Sequence, residues 1–158
     1  MPQIIIISAI AANGAIGYQG GLPWDIPKEF ERFLHFIGGQ SIITGRKSYA
    51  HSHKKLTSKH NLLLSHSLTK IENAMVFDSL DTALQKAQTL GKTIYITGGR
   101  QVYQEAFALA DKMYLSFIRK EYQGDVFFPK FDETKWTIRQ KIPFEEYDFV
   151  IFDKKRNF

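Results

Sequence analysis

Residues 16–37 read Ile-Gly-Tyr-Gln-Gly-Gly-Leu-Pro-Trp-Asp-Ile-Pro-Lys-Glu-Phe-Glu-Arg-Phe-Leu-His-Phe-Ile, a glycine-rich loop that runs into a helix. Pro27 is suited to the first position of that helix, because its missing N–H would be unpaired there in any case. At about 100° per residue, the apolar side chains form one continuous arc along the helix. The members of this arc are Phe30, Phe33, Leu34, Phe36 and Ile37.

Glu29 is the one charged residue that falls inside this apolar arc. An acid in the first turn can simply complement the helix dipole, but an ionised carboxylate on a buried face is costly unless it is paired. The preceding loop favours a functional role, because its three glycines make it mobile and Trp24 adds a rigid aromatic wall with one N–H donor. The loop is therefore predicted to be a lid over a pocket that contains Glu29.

Composition is typical of a globular protein and excludes several kinds of site. The 158 residues, 44% hydrophobic and 23% charged, predict one domain over residues 1–158. The net charge is +5, but the basic residues are scattered, so no nucleic-acid partner is predicted. The absence of cysteine excludes disulfides and thiolate metal sites, and no metal site is predicted. The apolar residues 4–12 are too few to span a bilayer, which predicts a cytoplasmic protein without a membrane partner.

Apolar runs and turn residues predict alternating strands and helices. Strands are predicted at residues 3–11, 41–44, 61–64, 74–77, 93–97 and 112–118, with a terminal antiparallel pair at 138–143 and 149–153. Helices are predicted from Pro27, after Gly45, at 79–90 and at 100–106, and residues 51–61 are predicted to be a loop. This alternation predicts an α/β fold with a central, mostly parallel, twisted sheet, an antiparallel C-terminal strand pair and helices on both faces. In such sheets, ligands bind beyond the carboxyl ends of the strands.

Three predicted strand ends carry residues suited to phosphate. Residues 97–100 (Thr-Gly-Gly-Arg) and 44–48 (Thr-Gly-Arg-Lys-Ser) each place glycine where the backbone can approach an anion. Neither matches a dinucleotide or Walker fingerprint, and paired glycines can also serve tight packing of a strand on a helix. At the third end, Ser65-His66 could join Arg46 and Lys47 in holding an extra monophosphate, which favours NADP(H) over NAD(H).

Several short motifs follow one another along the chain. They are Ile16-Gly17, Leu22-Pro23-Trp24, Pro27 with Glu29, Gly45-Arg46, Ile96-Thr97-Gly98-Gly99 with Val102-Tyr103, and Gly124-Asp125 with Phe128-Pro129. In these motifs and their spacing, the chain resembles the dihydrofolate reductases along nearly its whole length. The resemblance implies a monomeric enzyme that transfers a hydride from NADPH to C6 of its small-molecule substrate, 7,8-dihydrofolate, with protonation at N5.

The resemblance also implies which residues take part in catalysis. Glu29 would hold the 2-amino group and N3 of the pterin, and Ser116 would support it from a neighbouring strand. Water ordered near Glu29 and Trp24 would supply the proton for N5. Burial would raise the pKa of Glu29 and the helix N-terminus would lower it, and the sequence leaves that balance open.

The remaining site residues follow from the resemblance position by position. The residues expected to bind substrate are Ile7, Glu29, Phe30, Phe33, Leu56, Lys59, Thr97 and Ser116. The residues expected to bind the cofactor are Ala9, Ile16, Gly17, Gly45, Arg46, Lys47, Ser48, Leu64, Ser65, His66, Gly98, Gly99, Arg100, Gln101, Val102 and Tyr103. Asp125 is expected to bond to the lid and control its closure.

The chain departs from the family pattern where the folate tail would bind. The family usually has an arginine whose fork grips the α-carboxylate of the folate glutamate, and Lys59 stands there instead. Either dihydrofolate binds more weakly through Lys59, helped by Lys54 or Lys55, or the substrate has a different tail. The alternatives are therefore a reductase of another pterin or a pyrimidine and, more remotely, a nucleotide-binding module without catalysis. Glu29 beside Trp24 argues against the module, because a pure binder needs no half-buried acid there.

Overall fold

The computed structural model describes residues 1–67 and 70–156. The strands are β1 (Ile4–Ile10), β2 (Ala15–Gly17), β3 (Ser41–Gly45), β4 (His60–Leu64), β5 (Met75–Phe77), β6 (Ile94–Ile96), β7 (Lys112–Ile118), β8 (Val126–Phe127), β9 (Trp136–Pro143) and β10 (Tyr147–Lys154). The α-helices are α1 (Pro27–Ile37), α2 (Arg46–Ser52), α3 (Leu80–Thr89) and α4 (Arg100–Ala106), and short 3₁₀ helices lie at His53–Lys55 and Glu133–Lys135.

One sheet of eight strands organises the fold, in the order β5-β4-β3-β6-β1-β7-β10-β9. The strands from β5 to β7 pair in parallel, whereas β10 is antiparallel to both β7 and β9. The predicted mostly parallel sheet with an antiparallel C-terminal pair is confirmed. This order also places the carboxyl ends of β4, β3, β6 and β1 side by side, so the junctions that follow them share one edge of the sheet.

The isoleucine run of β1 explains why helices cover both faces of the sheet. Ile4 and Ile6 lie in a core cluster with buried residues of α3 and α4, whereas Ile5 and Ile7 pack with Ile37 at the end of α1. Successive side chains of a strand point to opposite faces, and a strand buried on both faces therefore reads as a continuous apolar run. The predicted helices on both faces are confirmed by these contacts.

Helix α1 begins at Pro27, as predicted, and ends before Gly38. The next residue, Gly39, has φ +70°, a left-handed conformation that favours glycine and ends the helix. Ile37 is fully buried against β1 and β3. This contact fixes the rotation of α1, so the first-turn residue Glu29 faces the sheet and not solvent.

One small sheet was missed, and one local prediction was wrong. A second, two-stranded sheet pairs β2 with β8, and strands of two or three residues are too short to give a periodic sequence signal. Residues 51–61, predicted to be a loop, begin with the end of α2 and the 3₁₀ helix His53–Lys55 and end in β4. In this stretch the Ser52 hydroxyl donates to the Ser48 carbonyl oxygen at 2.9 Å, within the last turn of α2.

Within the part of the chain that the structure describes, none of the helices combines the length and apolar character that crossing a bilayer needs.

Candidate active site

A cleft of about 1430 Å³ opens at the edge of the sheet where β1, β3 and β6 end. Helix α1 forms one wall, the loop before it forms the cover, and the junctions into α2 and α4 form the far side. This volume is somewhat larger than that of a typical site for one drug-sized molecule, which is compatible with two ligands lying end to end.

Glu29 lies in the wall of this cleft and is only 8% exposed. The Ser116 hydroxyl, on the buried strand β7, makes a hydrogen bond to its carboxylate. Burial raises the pKa of Glu29 above its ordinary value, while the Ser116 hydrogen bond and the charge of Arg32 oppose that rise. The site thus holds a carboxyl group that can accept hydrogen bonds when ionised and donate one when protonated.

Aromatic side chains surround the acid. The rings of Phe30 and Phe33 lie 5.8 Å apart, centre to centre, on the same wall. Trp24 is 7% exposed and packs edge-on against Tyr122, with 5.8 Å between the ring centres. Among the described residues, the Trp24 Nε1–H is buried and has no acceptor. The cleft therefore offers flat apolar surface and one spare donor beside a carboxyl group, which suits a planar heterocycle with polar edges.

The two glycine junctions predicted to bind phosphate come together on the opposite side of the cleft. The Gly45 N–H donates to the Gly98 carbonyl oxygen at 2.7 Å, and an added Cβ at Gly45 would lie 3.5 Å from the Gly99 nitrogen. Gly98 has φ +110°, and an added Cβ there would lie 3.2 Å from the Tyr103 ring, so a larger residue would be strained and crowded at this position. The adjacent junctions expose glycine backbone to the cleft, and such backbone can approach an anion closely.

Tyr103 joins the two halves of the site. Its hydroxyl donates to the Ile7 carbonyl oxygen at 2.8 Å, and its burial raises the pKa of the phenol, so it stays a neutral donor. Ile7 lies in the middle of β1 and Tyr103 lies on α4. This bond fixes β1, whose Ile7 and Ala9 line the cleft, against the helix that follows the paired glycines.

A small polar cluster lies at the outer end of the cleft. The Arg46 guanidinium donates to the Ser67 hydroxyl at 3.0 Å, and the Ser65 and Ser67 hydroxyl oxygens lie 3.5 Å apart. His66 also lines the cleft. An arginine fork with two hydroxyls is a donor set suited to a phosphate monoester.

The loop over the cleft is tied down at two places. The Gln19 N–H donates to Asp125 Oδ2 at 3.0 Å, and the Asp125 N–H donates to the Gly17 carbonyl oxygen at 2.9 Å. At Gly21, an added Cβ would lie 2.7 Å from the His51 ring of α2, so the loop backbone rests directly on that ring. The loop covers the cleft and is held by groups that can also release it.

Most of the site residues expected from the sequence line this one cleft. They are Ile7, Ala9, Ile16, Gly17, Trp24, Glu29, Phe30, Phe33, Gly45, Arg46, Lys47, Ser48, Leu56, Ser65, His66, Thr97, Gly99, Arg100, Gln101, Val102, Tyr103 and Asp125. Four others do not line it: Lys59, Leu64, Gly98 and Ser116. Ser116 lies behind Glu29, Leu64 packs on the core, and the Gly98 carbonyl oxygen is turned towards Gly45.

Lys59 is exposed and lies away from the cleft wall. Its backbone N–H donates to the Gln40 carbonyl oxygen at 2.8 Å, which fixes the chain just before β4. Lys55, at the end of the 3₁₀ helix, lines the cleft instead, with its Nζ 5.9 Å from the centre of the Phe30 ring. The sequence did not single out Lys55 above its neighbour Lys54, because the helical turn that directs its side chain was predicted to be a loop.

His51, Tyr18 and Ser67 also line the cleft and were missed. The second serine of Ser65-His66-Ser67 was a usable signal, since alternate residues of an extended segment share a face. Tyr18 and His51 gave no such signal, because the path of the loop decides their placement.

The fold and the site together define an α/β enzyme whose ligand cleft lies at the carboxyl ends of parallel strands. A family model described as dihydrofolate reductase matches residues 3–154. The dihydrofolate reductase of Bacillus subtilis is 31% identical over 98% of this chain and 96% of its own length, and that of Neisseria gonorrhoeae is 33% identical over 86% and 85%. A solved dihydrofolate reductase of Enterococcus faecalis, complexed with NADP(H) and RAB-propyl, superposes with a TM-score of 0.91 at 23% identity, covering 98% of this chain and 97% of that one. This chain belongs to the dihydrofolate reductase family.

Proposed function

We propose that the protein reduces 7,8-dihydrofolate to 5,6,7,8-tetrahydrofolate with NADPH, by hydride transfer to C6 and protonation at N5. The observation that carries this proposal is the buried Glu29 between aromatic rings, in one cleft with the adjacent glycine junctions. We also propose that residues 1–158 act as one domain, with the family match over 3–154 in support. That span includes residues 68–69 and 157–158, which lie outside the described residues.

At the substrate end, Glu29 receives the pterin through two hydrogen bonds. Its carboxylate accepts from the 2-amino group and from N3, a paired arrangement that a carboxylate fits in one orientation. The Ile7 and Thr97 carbonyl oxygens accept from the far edge of the ring. The Ile7 oxygen already accepts the Tyr103 hydroxyl, and its second lone pair remains for the substrate. Phe30 and Phe33 pack on the ring and on the aminobenzoyl group.

At the other end, the adjacent glycine junctions hold the cofactor. Gly45 and Gly99 would let the backbone approach the diphosphate, and the cluster of Arg46, Ser65, His66 and Ser67 would hold the extra phosphate that distinguishes NADPH from NADH. The donor set observed there fits that phosphate. When bound, NADPH supplies the hydride.

The residues of this chain orient the substrate, exclude bulk water from the cleft and provide a path for the proton. The lid and the aromatic wall exclude bulk water, which strengthens every electrostatic interaction inside the cleft. Trp24 Nε1 has a free donor for a water molecule, and the Glu29 carboxyl can exchange a proton with that water. We propose that N5 receives its proton from water held by these two residues.

The tail of the substrate meets a weaker grip than in most of the family. Lys55 lines the substrate half of the cleft, and a lysine ammonium is a point charge that cannot form a two-pronged bond to a carboxylate. Lys55, with or without Lys59, would hold the tail by charge alone. This feature specifically favours the second candidate, a reductase of another pterin or a pyrimidine without a glutamate tail.

The consumption of NADPH with and without 7,8-dihydrofolate tests the proposal. We expect substrate-dependent oxidation that Glu29→Gln abolishes or nearly abolishes. A 7,8-dihydropterin without the aminobenzoylglutamate tail separates the two candidates: a far higher kcat/KM for the tail-less compound favours the second. No NADPH consumption with either compound would overturn the proposed reduction of dihydrofolate and the pterin form of the second candidate.

The solution state is part of the proposal. We propose a monomer located in the cytoplasm that acts without nucleic acid. The basic residues are scattered along the chain, which does not favour a nucleic-acid surface, and one chain forms the cleft without needing a second subunit. Sedimentation of the purified protein tests whether it is a monomer, and a gel shift at moderate salt tests whether it binds nucleic acid.

A further inference from the structure

Arg32 lies one helical turn beyond Glu29 on α1, and its guanidinium is enclosed by aromatic rings. The guanidinium carbon lies 4.4 Å from the centre of the Phe149 ring, 4.8 Å from that of Phe144 and 5.6 Å from that of Phe36. Two of these rings come from β10 and the turn before it, and the third comes from α1 itself. Cations are attracted to aromatic faces, so these rings hold the guanidinium near the sheet and keep it from extending into solvent.

The remaining contacts of Arg32 do not explain its position. Its guanidinium interacts with the hydroxyl of Tyr147, which is 3% exposed. Its Nε–H is buried without an acceptor in the described residues, and within the same residues Arg32 forms no ion pair closer than 4.0 Å. An unpaired buried N–H costs stability. The chain therefore keeps the Arg32 charge at this position at some cost in stability.

The groups around Glu29 show where this charge acts. Ser116 of β7 makes a hydrogen bond to the carboxylate, and the phenols of Tyr103 on α4 and Tyr147 on β10 interact with it electrostatically. Burial raises the pKa of both phenols, so they remain neutral near neutral pH. Arg32 is the cation whose charge acts on Glu29, at neighbouring positions i and i+3 of one helix face.

We propose that Arg32 is a positioning residue of the active site. Its guanidinium, held in a box formed by the rings of Phe36, Phe144 and Phe149, stabilises the ionised Glu29 carboxylate without occupying the oxygens that face the pterin. Arginine does not lose its proton in proteins, so the counter-charge is constant across the working pH range. Since no direct ion pair forms, both carboxylate oxygens stay available for Ser116 and the substrate. This inference rests on the proposed function, because it gives Arg32 a purpose only if Glu29 binds the pterin.

The titration of the Glu29 carboxyl, followed by ¹³C NMR in the ligand-free protein, tests the proposal independently of catalysis. We expect Arg32→Gln to move that titration to higher pH by about one unit, with Arg32→Lys restoring part of the shift. Lys28→Gln is the matched control, because it removes the same charge from the same helix at an exposed position next to Glu29; it should leave the titration nearly unchanged. In the same variants, the pH profile of kcat should move with the titration.

Phe144→Ala provides a second test that leaves Arg32 intact and opens the box. We expect the Glu29 titration to move in the same direction as in Arg32→Gln, by a smaller amount, because the guanidinium is then free to turn into solvent. An unchanged titration in Arg32→Gln, or an equal shift in Lys28→Gln, would overturn the proposal. If Arg32→Gln does not fold, an unchanged titration in Phe144→Ala overturns it instead. Neither result bears on whether NADPH and dihydrofolate react, which the NADPH assay decides.

Discussion

At the scale of single residues, Glu29 is placed for function at the expense of stability. Its pKa is raised in the folded protein, so between about pH 4.5 and that raised pKa the folded state binds more protons than the unfolded state. The free energy of unfolding therefore falls as the pH rises through this window. Above the raised pKa the folded protein carries the cost of a buried charge, which Ser116 and Arg32 only partly offset.

Glu29→Gln is expected to lower kcat by about 100-fold or more, because the variant loses the carboxylate that orients the pterin and exchanges the proton. The same variant should unfold at a higher urea concentration than the wild type near neutral pH, while the two should become similar below about pH 4. Steady-state kinetics and urea unfolding at both pH values measure the two effects. Unchanged turnover would rule out the proposed role of Glu29.

The tail-binding lysines are distinguished by a pair of variants. We expect Lys55→Ala to raise the KM for dihydrofolate about two- to fivefold, the range for one partly exposed charge contact, and to leave kcat unchanged. Lys59→Ala should have a smaller effect because its side chain lies away from the cleft wall. The KM for a tail-less 7,8-dihydropterin, which lacks the carboxylates, should change in neither variant. The reverse ranking would assign the tail to Lys59.

At the scale of elements, the lid is the part that the site requires to move. Asp125→Ala removes the acceptor of the Gln19 N–H, an exposed bond to a charged group worth about 1 kcal/mol. We expect NADPH to dissociate about fivefold faster, measured by stopped-flow fluorescence. Asp78→Ala removes another exposed acid, one outside the cleft wall, and should leave the rate unchanged. Equal dissociation rates in both variants would mean that the hydrogen bond from Gln19 to the Asp125 carboxylate does not hold the lid.

The elements differ in how far the sequence predicted them. The isoleucine run of β1 and the Pro27 helix were predicted correctly because apolar periodicity and a proline at the first helical position are strong local signals. The side of α1 that carries Glu29 was predicted for the same reason. The sequence did not predict the pairing of β2 with β8 or the position of Lys55 in the cleft. Long-range hydrogen bonds and the path of a short 3₁₀ helix produce no periodic pattern of apolar residues. The family resemblance predicted that Lys59 would lie in the site, whereas the local path of the chain directs Lys55 into the cleft instead.

At the scale of the whole molecule, ligand binding should stabilise the fold. A ligand that binds only the folded state at 100 times its Kd adds about 2.7 kcal/mol to the free energy of unfolding. We expect NADPH to raise the Tm more than NADH at the same concentration, and Arg46→Gln to remove most of that difference. Thermal unfolding with each dinucleotide measures this. An equal rise in Tm with both dinucleotides in the wild type would argue against a phosphate site at Arg46.

The central position of β1 has a consequence for biosynthesis. Its partners are β6 and β7, and its register with β7 extends from Lys112 to Phe117. Strand β1 is therefore synthesised well before either of the strands with which it pairs. Until β6 and β7 are available, the isoleucine-rich β1 segment is unpaired and exposed to solvent, and such segments promote association between nascent chains. Parallel pairing across such sequence distances is also slow. Recovery of active protein after dilution from denaturant should therefore fall steeply with protein concentration, and a chaperone that shields the amino-terminal segment should restore it.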